Sequence, residues 1–132
     1  MSIDVAWDDD TQRLIRWRMA AGFRWDEFDA AVDRSVELFD TVTHRVDLLA
    51  VSESAILPSP DAMAPFRRSV TRKLANRNGG YLLLVGVGRV VPVLMNVLKT
   101  TIPRDQLTFL DVRFYAVEAA ARAFLARSSP TG

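Results

Sequence analysis

The alternation of strand-like and helix-like patterns along residues 13–51 constrains this chain more than any other feature. Residues 13–20 have the period-2 pattern of a β-strand, and residues 46–51 form a second, mostly apolar strand interrupted only by Asp47. Between them, apolar side chains recur at steps of three and four, the spacing of one helix face. That stripe consists of Trp25, Phe28, Val32, Val36 and Phe39. The segment is therefore predicted to form one β-α-β unit.

A β-hairpin is predicted at the start of the chain. Residues 3–7 also alternate between apolar and polar side chains, and the polar residues 9–12 are typical of a turn. One register gathers the large apolar side chains on a single face, and it places Asp8 diagonal to Arg16. The opposed residues in this register are Trp7 and Ile15, Val5 and Trp17, Asp4 and Arg18, and Ala6 and Arg16. The second face is predicted to contact water.

Further strands and helices alternate along the rest of the chain. A polar loop at residues 52–59 is followed by a predicted helix from about residue 60, with the apolar stripe Met63, Phe66, Val70 and Leu74. The later predicted elements are a buried central strand at 81–87, a helix at 89–100, a strand at 107–112 and a helix at 115–127. The predicted fold is α/β, in the order β-β-α-β-α-β-α-β-α. Right-handed crossovers then give a mostly parallel five-stranded sheet with an antiparallel edge hairpin.

Length and composition limit the classes of protein to consider. With 132 residues, we expect one domain over residues 1–127 and a frayed tail at 128–132. The absence of cysteine from the sequence excludes disulfide scaffolds, thiolate metal sites and cysteine nucleophiles. The start lacks the pattern of a signal peptide, and no apolar run reaches the ~18 residues of a membrane span. A cytoplasmic protein without metal or cofactor is expected.

The two halves of the chain carry opposite charge. Residues 1–53 contain 12 acids and 6 bases, whereas residues 54–132 contain 4 acids and 11 bases. The acids lie mainly on the hairpin and the first helix, and many of the bases lie on the second helix. Because no aromatic side chains are interleaved with these arginines, nucleic acid is not expected as a partner. The interpretation that we favour is a solvated basic face or one paired with the acidic helix.

Two candidates for chemistry lie in turns. Gly86, Gly88 and Arg89 connect a strand to a helix, where free backbone N–H groups can attract an anion. The pattern lacks the third glycine of a dinucleotide site and the Gly-Lys-Ser/Thr ending of a phosphate loop, so a tight turn that needs small residues is the favoured interpretation. His44 is the only histidine, and it is predicted to lie in a surface turn. Without a nucleophile elbow it indicates no catalytic triad.

Two aspartates interrupt the predicted strands. Asp47 and Asp111 each lie in an apolar setting, but no second acid accompanies either one, as acid–base catalysis would require. Such residues often satisfy backbone donors at strand ends. We therefore expect a protein that is not an enzyme, and an anion-binding enzyme using Arg89 and Asp111 is the weakest alternative.

The third helix is the strongest candidate for a binding surface because it is apolar almost all round. Such a helix must be covered by something. Three alternatives could bury its surface. They are a protein partner (including a second copy of the chain), a small apolar ligand, or the last helix and the loops of the domain itself. The residues proposed for contact are Val90, Val91, Leu94, Met95 and Leu98.

The layout resembles the STAS family, specifically its divergent SpoIIAA-like branch, whose fold is similar to Sec14-type lipid-binding domains. The residues that carry the resemblance are Gly22-Phe23-Arg24-Trp25-Asp26-Glu27-Phe28, Val46-Asp47-Leu48-Leu49 and Tyr81-Leu82-Leu83-Leu84-Val85-Gly86. These are patterns of hydrophobicity and cover nearly the whole chain. The resemblance implies a small non-catalytic domain that acts by protein–protein binding.

The resemblance also implies a switch by serine phosphorylation at the start of the second helix. The Asp-Ser-x-Gly motif of the family is absent, and the loop is longer here. Ser59 is the nearest candidate by position and Ser54 the next, although Ser59 followed by Pro60 is also typical of a helix N-cap. Two functions therefore remain open: a regulatory interaction domain, or a carrier of a small apolar ligand held between the sheet and the third helix.

Overall fold

A computed structural model describes residues 2–56 and 62–128 of the protein. Within these residues the chain forms five strands and four α-helices. In chain order they are β1 (Ile3–Trp7), β2 (Leu14–Met19), α1 (Trp25–Asp40), β3 (Val46–Ser52), α2 (Met63–Thr71), β4 (Gly79–Val85), α3 (Val90–Thr101), β5 (Asp111–Tyr115) and α4 (Glu118–Ser128). This order confirms the predicted α/β fold class.

The strands form one sheet in the sequential order β1-β2-β3-β4-β5. The β1–β2 pair is antiparallel and the other three pairs are parallel. Because each parallel strand lies beside its predecessor, right-handed crossovers place α1, α2 and α3 on the same face of the sheet. We call this the three-helix face. Its core joins Phe28 of α1, Phe66 of α2 and Val91 of α3.

The hairpin register follows the prediction. Trp7 lies opposite Ile15, Val5 opposite Trp17, and Asp4 opposite Arg18. This register directs Trp17 into the core, where its indole N–H donates a hydrogen bond to Ser35 Oγ at 2.7 Å. Ser35 in turn donates to the Ala31 carbonyl one helical turn earlier. The polar tip of a buried tryptophan is thereby satisfied inside the apolar layer.

Helix α4 covers the opposite face of the sheet, which we call the α4 face. Ala121 is fully buried there against Leu49 and Leu83. The helix also reaches the hairpin, because Arg122 forms an ion pair with Asp8 at 2.8 Å. The hairpin face that was predicted to contact water does so at Asp4 and Arg18, which are exposed, whereas Asp8 and Arg16 are partly buried. The sequence pattern did not show where α4 would pack.

Helices α1 and α2 pair through opposite charges. Arg68 Nη2 lies 2.6 Å from Asp29 Oδ2, and Arg72 lies 2.5 Å from Asp33. These contacts confirm the interpretation that the basic second helix faces the acidic first helix. The charge asymmetry between the two halves of the chain is thus partly internal to the domain.

Helix α2 is shorter than predicted. It ends at Thr71, and Arg72 has extended backbone angles (φ −66°, ψ 130°). The following segment is held by tertiary hydrogen bonds instead, since the Ala75 N–H donates to the Asp40 carboxylate. Leu74 is buried as its place in the apolar stripe implied, but it lies outside the helix. Met63 of the same stripe is exposed.

Strand β5 begins four residues later than predicted. A short 3-10 helix, Arg104–Gln106, follows α3, and the next residues are tied to neighbouring elements rather than paired as a strand. The Thr108 N–H donates to the Val70 carbonyl, and the Leu110 N–H donates to the Gly80 carbonyl. Regular pairing with β4 then runs along Asp111–Tyr115, which also moves the start of α4 from residue 115 to Glu118.

Candidate functional site

Helix α3 has an apolar buried face and an exposed face on which a row of valines lies among polar residues. Val91, Met95 and Leu98 pack into the three-helix core and are at most 3% exposed. Val90, Val93 and Val97 point outward and are 44%, 63% and 47% exposed. We call these three residues the valine stripe. Along a helix they lie at steps of three and four, so they form one surface.

The contact residues predicted from the sequence are therefore corrected. Val90 is exposed as predicted and Leu94 is partly buried, but Val91, Met95 and Leu98 are core residues. Val93 and Val97 belong to the exposed surface and were missed. A helix that is apolar on every side gives no sign of which side meets the sheet, so only the packing could separate the two sets.

Two further exposed apolar side chains lie close to the ends of β5, the strand that follows α3. Among the described residues, six large apolar side chains are exposed, and three of them form the valine stripe. Leu110 and Val117, each 59% exposed, flank the two ends of β5, and Met63 is on α2. Because α3 connects β4 to β5, the edge formed by α3 and β5 carries most of this exposed apolar surface.

A groove lies at the beginning of β5, beside the C-terminal half of α3. Its volume is about 560 Å³. Its walls are mainly apolar, with three cationic side chains and one acidic side chain. The groove is lined by Val70, Tyr81, Met95, Leu98, Lys99, Arg104, Leu107, Phe109, Leu110, Asp111, Val112 and Arg113. We call it the β5 groove.

Asp111 joins two of these cations. Lys99 Nζ lies 2.8 Å from Asp111 Oδ1, and Arg113 Nε lies 3.6 Å from Asp111 Oδ2. Partial burial opposes ionisation of Asp111, yet hydrogen bonds from Lys99 and the Val112 N–H, with the charges of Lys99 and Arg113, together hold its pKa below the usual value. The Arg113 guanidinium also lies over the Phe124 ring at 4.6 Å. Asp111 thus neutralises part of the positive charge of the groove.

A second, smaller cavity lies between the sheet and the helices of the three-helix face. Its volume is about 50 Å³, and its walls are almost wholly apolar, including Trp17, Phe66 and Val91. Binding sites for small molecules have volumes of about 300–1,000 Å³. As bounded by the described residues, the space between the sheet and α3 is therefore too small for a lipid.

The turn at Gly86 and Gly88 is explained by packing. Gly86 has φ +72° and donates its N–H to the Tyr115 carbonyl, so this donor is not free for an anion. Gly88 has φ +89°, and a Cβ there would lie 2.8 Å from Ala55 Cβ. Arg89 is exposed at the N-terminus of α3, whereas Asp111 contacts Lys99, ten residues or about 15 Å further along the helix. The structure does not bring Arg89 and Asp111 together.

Asp47 has a local structural role. Its carboxylate accepts the Tyr81 backbone N–H at 2.7 Å and lies 3.4 Å from Arg45. Burial raises its pKa, although the Tyr81 and Arg45 contacts oppose that shift. His44 lies in an exposed turn, with Nε2 2.7 Å from the Gln12 carbonyl. In the described part of the chain, no cluster of three or more histidine or acidic side chains is arranged to hold a metal ion.

The phosphorylation candidates lie before α2. Ser54 is exposed, and its backbone is held in a local turn by the Ser52 hydroxyl. Ser59 lies outside the described residues. The phosphoswitch therefore stays a prediction.

No family model, curated protein or solved structure matches this chain. Within residues 2–56 and 62–128, none of the helices has the length and apolar character needed to cross a membrane.

Proposed function

We propose that this chain is a non-catalytic cytoplasmic interaction domain of the STAS type, and that its valine stripe binds a second copy of the chain. The observation that carries the proposal is the exposure of three neighbouring valines on a helix whose other face already fills the core. A helix face of this kind is typical of a surface that another protein covers. The element order and the apolar motifs support the STAS resemblance.

The charges around the stripe favour a second copy in an antiparallel arrangement. The stripe itself is uncharged, and Arg89 lies immediately before α3. In an antiparallel pair, each Arg89 would lie near the C-terminal end of the other α3, where the helix dipole favours a cation. Lys99 lies at that end, but its charge is already paired with Asp111. A parallel pair would instead bring two Arg89 side chains together. A twofold dimer through α3 places both Arg89 side chains near the C-terminal end of the opposite helix.

The contact area sets the expected strength of this dimer. Val90 to Val97 spans only about 10 Å of helix. Stable interfaces bury roughly 800 Å² on each partner, far more than three valines provide. We therefore expect a reversible dimer that dissociates on dilution, with Leu94 and Val117 at the margin of the contact.

Sedimentation velocity over a hundredfold range of protein concentration tests this proposal. The wild-type chain should shift from monomer to dimer as concentration rises, whereas Val93→Lys should stay monomeric because it places a charge in the middle of an apolar contact. Met63→Lys is the matched control, since Met63 is also an exposed apolar side chain but belongs to α2. A wild-type monomer at every concentration, or equal loss of the dimer in both variants, would refute the proposal.

A carrier of an apolar ligand is the less favoured function. The sequence placed such a ligand between the sheet and α3, where the cavity measures about 50 Å³. A ligand there would have to displace Val91 or Met95 from the core, and both are almost fully buried. The exposed stripe requires no such rearrangement to bind a partner.

A further inference from the structure

We propose that the β5 groove is a binding site for a small amphipathic anion, with a carboxylate or phosphate head and an apolar body. The groove is independent of the valine stripe, because it lies beside Leu98 and Lys99 rather than on the outward face of α3. Its volume of about 560 Å³ is in the range of small-molecule sites. Its lining combines the two kinds of surface that such a ligand requires.

The apolar part of the groove comes from three different elements. Leu98 belongs to α3, Leu107 and Phe109 belong to the connection before β5, and Val112 belongs to β5. Phe109 is fixed by an edge-to-face contact with Phe39, at a ring distance of 6.0 Å. The wall is therefore anchored to the core and offers a preformed surface for an alkyl or aromatic group.

The charged part of the groove selects for an anion. Lys99, Arg104 and Arg113 line it against the single acid Asp111, which leaves a net excess of two positive charges. Among the described contacts, Lys99 and Arg113 share Asp111, whereas no ion pair involves Arg104. Positive charge in a cleft with apolar walls concentrates anions, because the walls weaken solvent screening. A carboxylate near Arg104 and Arg113 would neutralise half of this excess, and a doubly charged phosphate would neutralise all of it.

Decanoate is a suitable probe because it joins a carboxylate to a ten-carbon apolar body. Titration into the ¹⁵N-labelled full chain should shift the amide signals of Leu107, Leu110 and Val112 in a saturable manner. Decan-1-ol lacks the charge and acetate lacks the apolar body, so each should bind at least about tenfold more weakly. Equal binding of decan-1-ol, or shifts spread over the whole protein, would overturn the proposal.

Variants localise the site. Arg104→Gln and Arg113→Gln should each weaken decanoate binding by about fivefold or more, since each removes one charge-assisted contact. Arg67→Gln, which changes an exposed arginine on α2, should leave the affinity unchanged. Because Arg113 also contacts Phe124, Leu110→Asp provides a second test at a side chain that is already exposed, and it should abolish binding. Undiminished binding in Arg104→Gln and Leu110→Asp would refute the site.

Two further measurements separate the alternatives. Val93→Lys should bind decanoate like the wild type, so that failure of the dimer and failure of the groove remain distinguishable. Vesicles of phosphatidylcholine with one-fifth phosphatidylglycerol present an anionic head and an apolar body on a lipid surface rather than as a free molecule. Binding to such vesicles without any binding of monomeric decanoate would overturn the groove as a small-molecule site.

Discussion

At the scale of single residues, Gly80 and Asp47 depend on each other. The β3–β4 register shifts between Val46 and Leu48, so that two residues of β4, Gly80 and Tyr81, lie opposite Asp47. This bulge would leave the Tyr81 N–H without a partner in the ladder, and the Asp47 carboxylate accepts it. A side chain at position 80 would overlap that carboxylate and crowd Arg45. Glycine is therefore required here for space.

Gly80→Ala should lower the free energy of unfolding by about 1–3 kcal/mol, because the displaced Asp47 carboxylate leaves a backbone N–H unsatisfied. Urea denaturation measures this loss. If the overlap with Asp47 is the cause, the double variant Gly80→Ala/Asp47→Ala should cost less than the sum of the two single variants. Strict additivity would show that the cost of the methyl group arises elsewhere.

The sequence does not predict which of the candidate binding residues on α3 are exposed. Val90 was predicted to be a contact residue and is exposed, but Val91 was predicted to be one and is fully buried. Adjacent valines on an apolar helix are chemically identical in the sequence. Their different exposures arise from the rotation of α3 against β4 and β5, which depends on packing partners far away in the chain.

At the scale of elements, α4 is fixed to the hairpin by a network of ion pairs. Glu118 receives hydrogen bonds from Arg18 and Arg122, and Arg122 also binds Asp8. The contacts with Arg18 and Arg122 lower the pKa of Glu118 from 4.5 to about 2. The pKa of Asp8 is also lowered, chiefly by Arg122. The first and last elements of the domain are thereby joined across residues more than 100 positions apart.

This network predicts a dependence of stability on pH. A carboxylate whose pKa is lower in the folded state stabilises the fold above its unfolded value, here about 4.5, and loses that contribution as pH falls toward about 2. At pH 7, Glu118→Gln should therefore destabilise the protein by about 1 kcal/mol, a value reduced for partial exposure. The difference from wild type should shrink between pH 4.5 and pH 2.

Urea denaturation of both proteins at a series of pH values checks this expectation. Asp33→Asn is the control at pH 7, since it removes a more exposed ion pair between α1 and α2 and should cost less. A difference between wild type and Glu118→Gln that stays constant down to pH 2 would contradict the role assigned to the network.

Strand β5 begins after a connecting segment that has the sequence pattern of a strand. Residues 107–112 alternate like a strand, and Leu107 and Phe109 do pack against the core. They do so from a connecting segment, because the Thr108 N–H bonds to the end of α2 rather than to β4. Apolar alternation reports which side chains are buried. It does not distinguish strand pairing from a connection that lies against the core.

At the scale of the whole molecule, a single sheet forms one side of two apolar layers, one on the three-helix face and one on the α4 face. Leu48 and Leu82 face α1, α2 and α3, whereas their neighbours Leu49 and Leu83 face α4. Loss of either layer would expose one side of the same two central strands. The domain is therefore expected to unfold as one unit.

Coincident transitions would demonstrate this cooperativity. The three tryptophans belong to the three-helix face, so their fluorescence reports that layer, whereas circular dichroism at 222 nm reports all helices, including α4. Both signals should give the same urea midpoint and the same slope. An earlier transition in circular dichroism alone would instead show that α4 detaches separately.

The element order, the parallel sheet and the hairpin register were predictable from the sequence, and the charges of α1 and α2 allowed their pairing as one of two alternatives. Each of these follows from local periodicity or from charge carried by neighbouring elements. Four features became visible only in the folded chain: which valines of α3 are exposed, where β5 begins, the contact of α4 with the hairpin, and the groove lined by Lys99, Arg104 and Arg113. These features depend on contacts between segments distant in the chain, and such contacts have no periodic trace in a single sequence.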